Sequence, residues 1–166
     1  MKILVLGAGA VGGYFGGRLA EAGADVTFLV RPRRAEQLAK AGLRVSSKAG
    51  NLMLKPKCVV AGEVKPDYDI VIFTAKAYDL PGAIDAIAPA MSGGRGYVLP
   101  LLNGMSHLDA LDARFGRERV LGGVAYIAAT LEPDGEIRHM NDFHRVAFGP
   151  RHASQKAVCD AFASAA

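Results

Sequence analysis

A chain of 166 residues, 51% apolar and 22% charged, has the length and mix of one soluble domain with a sizeable core. No run approaches the roughly 18–20 apolar residues of a membrane span, no signal peptide is read at the N-terminus, and a net charge of +4 without a dense basic stripe argues against nucleic acid. Cys58 and Cys159 lie far apart and the four histidines are scattered, so no metal site is expected and the chain reads as cytoplasmic.

Lys2 to Leu6 is a short apolar run that ends at glycine, the pattern of a strand buried on both faces. A glycine-rich turn follows, then a helix to about Ala22 that stops at Gly23. Asp25 to Val30 is the second strand, and Arg33 to Ala41 a helix ended by Gly42. Leu43 to Ser47 and Asn51 to Leu54 suggest a hairpin around Lys48-Ala49-Gly50. Asp69 to Thr74 is a further buried strand, followed by a helix over Gly82 to Ala90. Tyr97 to Leu102 is a strand and Ser106 to Phe115 a helix. Beyond Val120 the pattern turns β-rich. Val120 to Thr130, Glu136 to Met140 and Arg145 to Phe148 read as a meander with a tight turn at Pro133-Asp134-Gly135. Ala153 to Ala166 is helical in composition, with Ala157, Val158 and Phe162 as a thin apolar stripe.

Strands alternating with helices predict an open, mostly parallel α/β sheet with right-handed crossovers. The β-rich segment is expected to extend that sheet at one edge. Residues 1–150 form the expected domain. Residues 151–166 read as the start of a helix that leads on to a helical domain absent from this sequence. The apolar surface such a domain would cover favours a homodimer.

Gly7, Gly9 and Gly12 are spaced as G-x-G-x-x-G, between a buried strand and a helix. In that context the motif is a Rossmann-type phosphate-binding turn. The first glycine permits the turn, the second lets the backbone approach a pyrophosphate, and the third lets helix and strand pack closely. The helix N-terminus adds free N–H groups and a positive dipole end. At the end of the second strand, an NAD site ordinarily carries a carboxylate. Here the sequence is Arg31-Pro32-Arg33-Arg34. A guanidinium pairs bidentately with a 2′-phosphate, so Arg31 points to NADP(H), with Arg33 or Arg34 in support. Ligands of such sheets lie beyond the carboxyl ends of the strands. Lys76 and Asn103 stand at two of those ends. A lysine can donate to a carbonyl or carboxylate, and an asparagine amide can fix a nicotinamide or a substrate hydroxyl. Each also has a plainer reading, as a solvated lysine and as a turn residue before Gly104.

The run Gly7 to Gly16, Arg31, Thr74-Ala75-Lys76, Leu99 to Gly104, Pro133 to Ile137 and Phe148-Gly149 together resemble the N-terminal domain of the ketopantoate reductases (2-dehydropantoate 2-reductases). The resemblance covers nearly the whole chain. It implies NADPH-dependent reduction of ketopantoate, a small 2-keto acid, to pantoate on the route to coenzyme A. It also implies that Gly7, Ala8, Gly9, Ala10, Val11 and Gly12 bind the cofactor, that Lys76 and Asn103 touch cofactor and act in catalysis, and that Ala128 lies near the cofactor. Leu102 departs from the family, which usually has glutamine there. The family's proton-donating lysine belongs to its helical C-terminal domain, and a positioned proton donor is worth about 10²–10⁴-fold in rate. The 166 residues alone are therefore expected to bind NADPH and reduce ketopantoate poorly. The alternatives are a related NADP-dependent 2-keto acid or imine reductase, and a nucleotide-binding or redox-sensing module without chemistry.

Overall fold

The computed structural model describes residues 1–166, the side chain of Ala77 excepted. Its centre is a five-stranded parallel sheet built from β1 (Lys2–Leu6), β2 (Asp25–Leu29), β5 (Lys57–Val59), β6 (Ile70–Phe73) and β7 (Tyr97–Pro100), in the order β5-β2-β1-β6-β7. Strand side chains alternate between faces, and the two faces feed two different cores. Ile3, Val5, Ile70, Ile72 and Leu99 enter one core, with α1 (Ala10–Glu21) and α2 (Pro32–Ala41). Leu4, Val71, Phe73 and Val98 enter the other, with α3 (Leu80–Met91) and α4 (Ser106–Phe115). Helices therefore cover both faces, as the alternating sequence predicts.

The hairpin read around Lys48-Ala49-Gly50 is present as β3 (Leu43–Ser46) and β4 (Leu52–Leu54), paired antiparallel. The β-rich segment meets the first sheet at its β7 edge, where Val120 bridges Val98 and the Leu121 N–H donates to the Val98 carbonyl at 2.8 Å. Past that point it departs from a simple extension. β8 (Gly122–Leu131) and β9 (Ile137–Gly149) join the hairpin in a second sheet of order β4-β3-β9-β8. The join is a parallel pairing of Val45 with Ile137 and Ser46 with Arg138. β9 is one long strand where the sequence suggests two. The ladder to β8 pairs Gly122–Ile127 with His144–Gly149 and Ala129–Leu131 with Ile137–His139, and Met140 to Phe143 fall in the irregularity between them, opposite Ala128.

The second sheet lies over α1. Tyr14 is fully buried there, its hydroxyl 2.5 Å from His144 Nδ1, and buried His139 pairs with Ser47 Oγ at 2.8 Å. These bonds satisfy polar groups that would otherwise be costly beneath a sheet.

The last helix, α5 (Lys156–Ala165), follows a 3-10 turn at Ala153–Gln155 and buries Cys159 and Phe162. Phe162 meets Phe148 edge-on, ring centres 5.0 Å apart. Arg151 anchors the approach to that helix through a bidentate pair with Asp112 of α4, both contacts 2.7 Å and both side chains about four-fifths buried. The hydrogen bond from Arg151 holds the Asp112 carboxyl below its ordinary 3.8. A depressed carboxyl stabilises the fold above its unfolded value and ceases to do so as pH falls through the folded one. Asp112→Asn is expected to lose about 1.5–3 kcal/mol at pH 7. In urea titrations the gap between variant and parent should narrow progressively as pH falls below about 4; a gap that does not change with pH there would contradict the ion-pair origin.

Candidate functional site

β1 ends against glycine for a conformational reason. Gly7 has φ +87°, in the left-handed region, and its N–H donates to the Leu29 carbonyl at 2.8 Å. The chain then reverses into α1 with Gly9 as its N-terminal cap. No side chain among the described residues caps that end, so first-turn N–H groups are left for another acceptor. Gly9 and Gly12 stand in opposite surroundings. A Cβ on Gly9 would meet no described atom within 4 Å, whereas one on Gly12 would fall on the Gly7 carbonyl and 2.6 Å from Thr74 Oγ1. Gly9 thus opens outward from an uncapped helix end, and Gly12 closes the turn inward. Thr74 donates its hydroxyl to the Leu6 carbonyl at 2.6 Å and ties the end of β6 to the end of β1.

Arg31 caps α2 just past β2, with its side chain largely in solvent. Its Nη2 lies 2.7 Å from Asp79 Oδ2. Asp79 had no role on sequence grounds, because the meeting depends on two strand ends brought together by the sheet. Arg33 is exposed. Arg34, weighed as a phosphate ligand, is engaged with backbone. Its Nε and Nη2 donate to the Ala8 carbonyl at 3.1 and 2.9 Å, and Nη1 and Nη2 donate to the Gly135 carbonyl at 3.2 and 3.3 Å. Burial pulls this guanidinium below its usual value, and neighbouring Arg44 adds to that. Arg34 therefore clamps the glycine turn to the Pro133-Asp134-Gly135 turn between β8 and β9.

Lys76 follows β6 and is exposed, its Nζ 5.9 Å from the centre of the Tyr78 ring. Asn103 follows β7, also exposed, in the turn before α4. Because β1, β6 and β7 are neighbours, the turn from Gly7 to Gly12, Lys76 and Asn103 share the carboxyl edge of the sheet. Ala8 is buried, while Ala10 and Val11 are half-buried at the start of α1. Asn103 borders an open cleft of about 570 Å³ between the turn at Leu102–Met105 and the ends of β8 and β9. Buried Leu102 lines the same cleft. Ala128 lies at the irregularity between β8 and β9, and its N–H donates to Asn141 Oδ1 at 3.2 Å.

The family model described as Ketopantoate reductase PanE/ApbA matches residues 3–153. The chain belongs to the ketopantoate reductase family. It is 48% identical over 149 residues to the uncharacterized oxidoreductase YkpB of Bacillus subtilis (strain 168), covering 90% of this chain and 48% of that protein. The crystal structure of 2-dehydropantoate 2-reductase from Geobacter metallireducens GS-15 superposes with a TM-score of 0.87 at 31% identity, covering 99% of this chain and 54% of the other. D-mandelate dehydrogenase, in its ternary structure with NADH and anilino(oxo)acetate, superposes with a TM-score of 0.85 at 26% identity, covering 99% and 53%. The chain spans about half the length of these relatives. The family is one of oxidoreductases, and its fold is the α/β architecture described above. Among the described residues, no helix is long and apolar enough to cross a membrane.

Proposed function

We propose that this ketopantoate reductase family chain is the cofactor-binding half of a cytoplasmic, NADPH-dependent 2-dehydropantoate 2-reductase, which yields pantoate. The observation that carries the proposal is the pairing of Gly9, open in front of an uncapped helix N-terminus, with Arg31 beside it at the end of β2. A dinucleotide fits this cradle: the backbone N–H groups and the dipole end of α1 receive the pyrophosphate, and the Arg31 fork receives the 2′-phosphate. When bound, the cofactor supplies hydride to the ketone carbon. Lys76 contributes a mobile cation at the next strand end, suited to a carboxylate or carbonyl oxygen. Asn103 contributes a donor and an acceptor that orient nicotinamide or substrate beside the cleft. Leu102 presents an apolar surface where the family usually places glutamine. That favours, as a second reading, a different 2-oxo acid as substrate.

Calorimetric titration with NADPH and NADH tests the cofactor assignment. Arg31→Ala is expected to weaken NADPH by about 10- to 100-fold, the worth of a hydrogen bond to a charged group, and to change NADH little. No binding of either cofactor by the unaltered chain would remove the proposed function. Equal loss for both would remove Arg31 from the 2′-phosphate.

A further inference from the structure

We propose that Asp79 is a specificity-determining residue: by engaging Arg31 it narrows the preference of the site for NADPH over NADH. The inference rests on the dinucleotide reading above and deepens it.

The first observation is position. β2 and β6 flank β1 in the sheet. Arg31 follows β2 and Asp79 follows β6, so their 2.7 Å contact spans the carboxyl end of β1, where the glycine turn lies. The second observation is what Asp79 does not do. It occupies the cap position of α3, where aspartate ordinarily accepts from the first N–H groups of its own helix. Here, among the described residues, it makes no side-chain bond to those groups. Its Oδ2 is turned to Arg31 instead. Its Oδ1 stands 3.0 Å from where a Cβ on Gly82 would be, so glycine at that position leaves the carboxylate its room.

The chemistry follows from charge. A 2′-phosphate is a dianion that needs the Arg31 fork. To take it, the phosphate must compete with Asp79 for the fork and then sit beside that carboxylate. A ribose 2′-hydroxyl meets the opposite situation, because it can donate to that carboxylate and leaves the ion pair in place. The end of β2 carries no acid in its own sequence, yet the fold delivers one from the far side of β1. One cofactor is thereby hindered and the other accommodated.

The test is a double-mutant cycle read by calorimetry: the parent, Asp79→Asn, Arg31→Ala and the double variant, each titrated with NADPH and NADH at low and high salt. Asp79→Asn is expected to tighten NADPH by about three- to tenfold, the scale of an exposed ion pair together with like-charge repulsion, and to leave NADH unchanged or weaker. The gain should shrink in the Arg31→Ala background and at high salt. Asp79→Glu, which keeps the charge, should keep the parental ratio, and melting temperatures report whether each variant is folded. An unchanged NADPH to NADH ratio in folded Asp79→Asn would overturn the proposal while leaving the dinucleotide reading intact. An equal gain with and without Arg31 would overturn the role of the ion pair. Failure of the parent to bind either cofactor would remove both.

Discussion

Gly12→Ala is expected to lower the melting temperature, whereas Gly9→Ala is expected to leave it nearly unchanged and to act on the cofactor. The two glycines belong to one motif but face different matter. At Gly12 the new methyl would be driven into the Gly7 carbonyl and the Thr74 hydroxyl. Neither can yield easily, since Gly7 is fixed by its bond to Leu29 and Thr74 by its bond to Leu6. Overpacking of this kind costs about 1–3 kcal/mol, a fall of about 2–12 °C for a chain of this size. At Gly9 the methyl enters open space. The folded chain loses only the small preference of a cap position for glycine over alanine, under about 1 kcal/mol. On the proposed function, the overpacking falls on the complex with the dinucleotide. Its Kd should rise by roughly 5- to 150-fold for the same 1–3 kcal/mol. Thermal melts and calorimetry on both variants separate the effects. Equal destabilisation by the two substitutions would contradict the division of labour within the turn.

The second large effect is expected at Arg34. Arg34→Met keeps the length and apolar stem of the side chain but removes the fork that joins the Ala8 and Gly135 carbonyls. Hydrogen bonds to a charged group are worth about 1.5–3 kcal/mol, and urea unfolding should show a loss of that size. Lysine should not restore it, because a point cation cannot span two carbonyls in the manner of a planar guanidinium. Cofactor affinity should fall as well, since the Ala8 peptide is held in place by that clamp. A variant as stable as the parent would mean that the clamp contributes nothing to the turn.

Much of this architecture was legible because it is local. The spacing of Gly7, Gly9 and Gly12 announces the turn, and the apolar runs at Ile3 and Ile70 announce strands buried on both faces. Leu43 to Leu54 reads correctly as a hairpin. What escaped is non-local or very short. β5 is three residues long and follows Pro56, too little for a period-2 pattern to register. The second sheet depends on Val45 finding Ile137, which no local pattern encodes. At the site, the arginine cluster was visible but the roles within it were not. Arg34 is taken by two carbonyls and Arg31 by an aspartate, and those partners become neighbours only once the sheet order is set.

The parallel pairing of β3 with β9 also governs the order in which the molecule can be made. On a ribosome, β1, α1 and β2 emerge early and can form the glycine turn with local contacts. The outer face of α1 must then wait, because Ile137, whose side chain packs against Gly13, leaves the tunnel only after α4 and β8. Until then Tyr14 has neither His139 nor His144 beside it, and the edge of β3 is open to other strands. Long-range parallel pairing is slow to form and leaves strand edges exposed to aggregation meanwhile. The glycine turn is thus among the first parts of the chain to take shape, and the layer that packs over α1 is among the last.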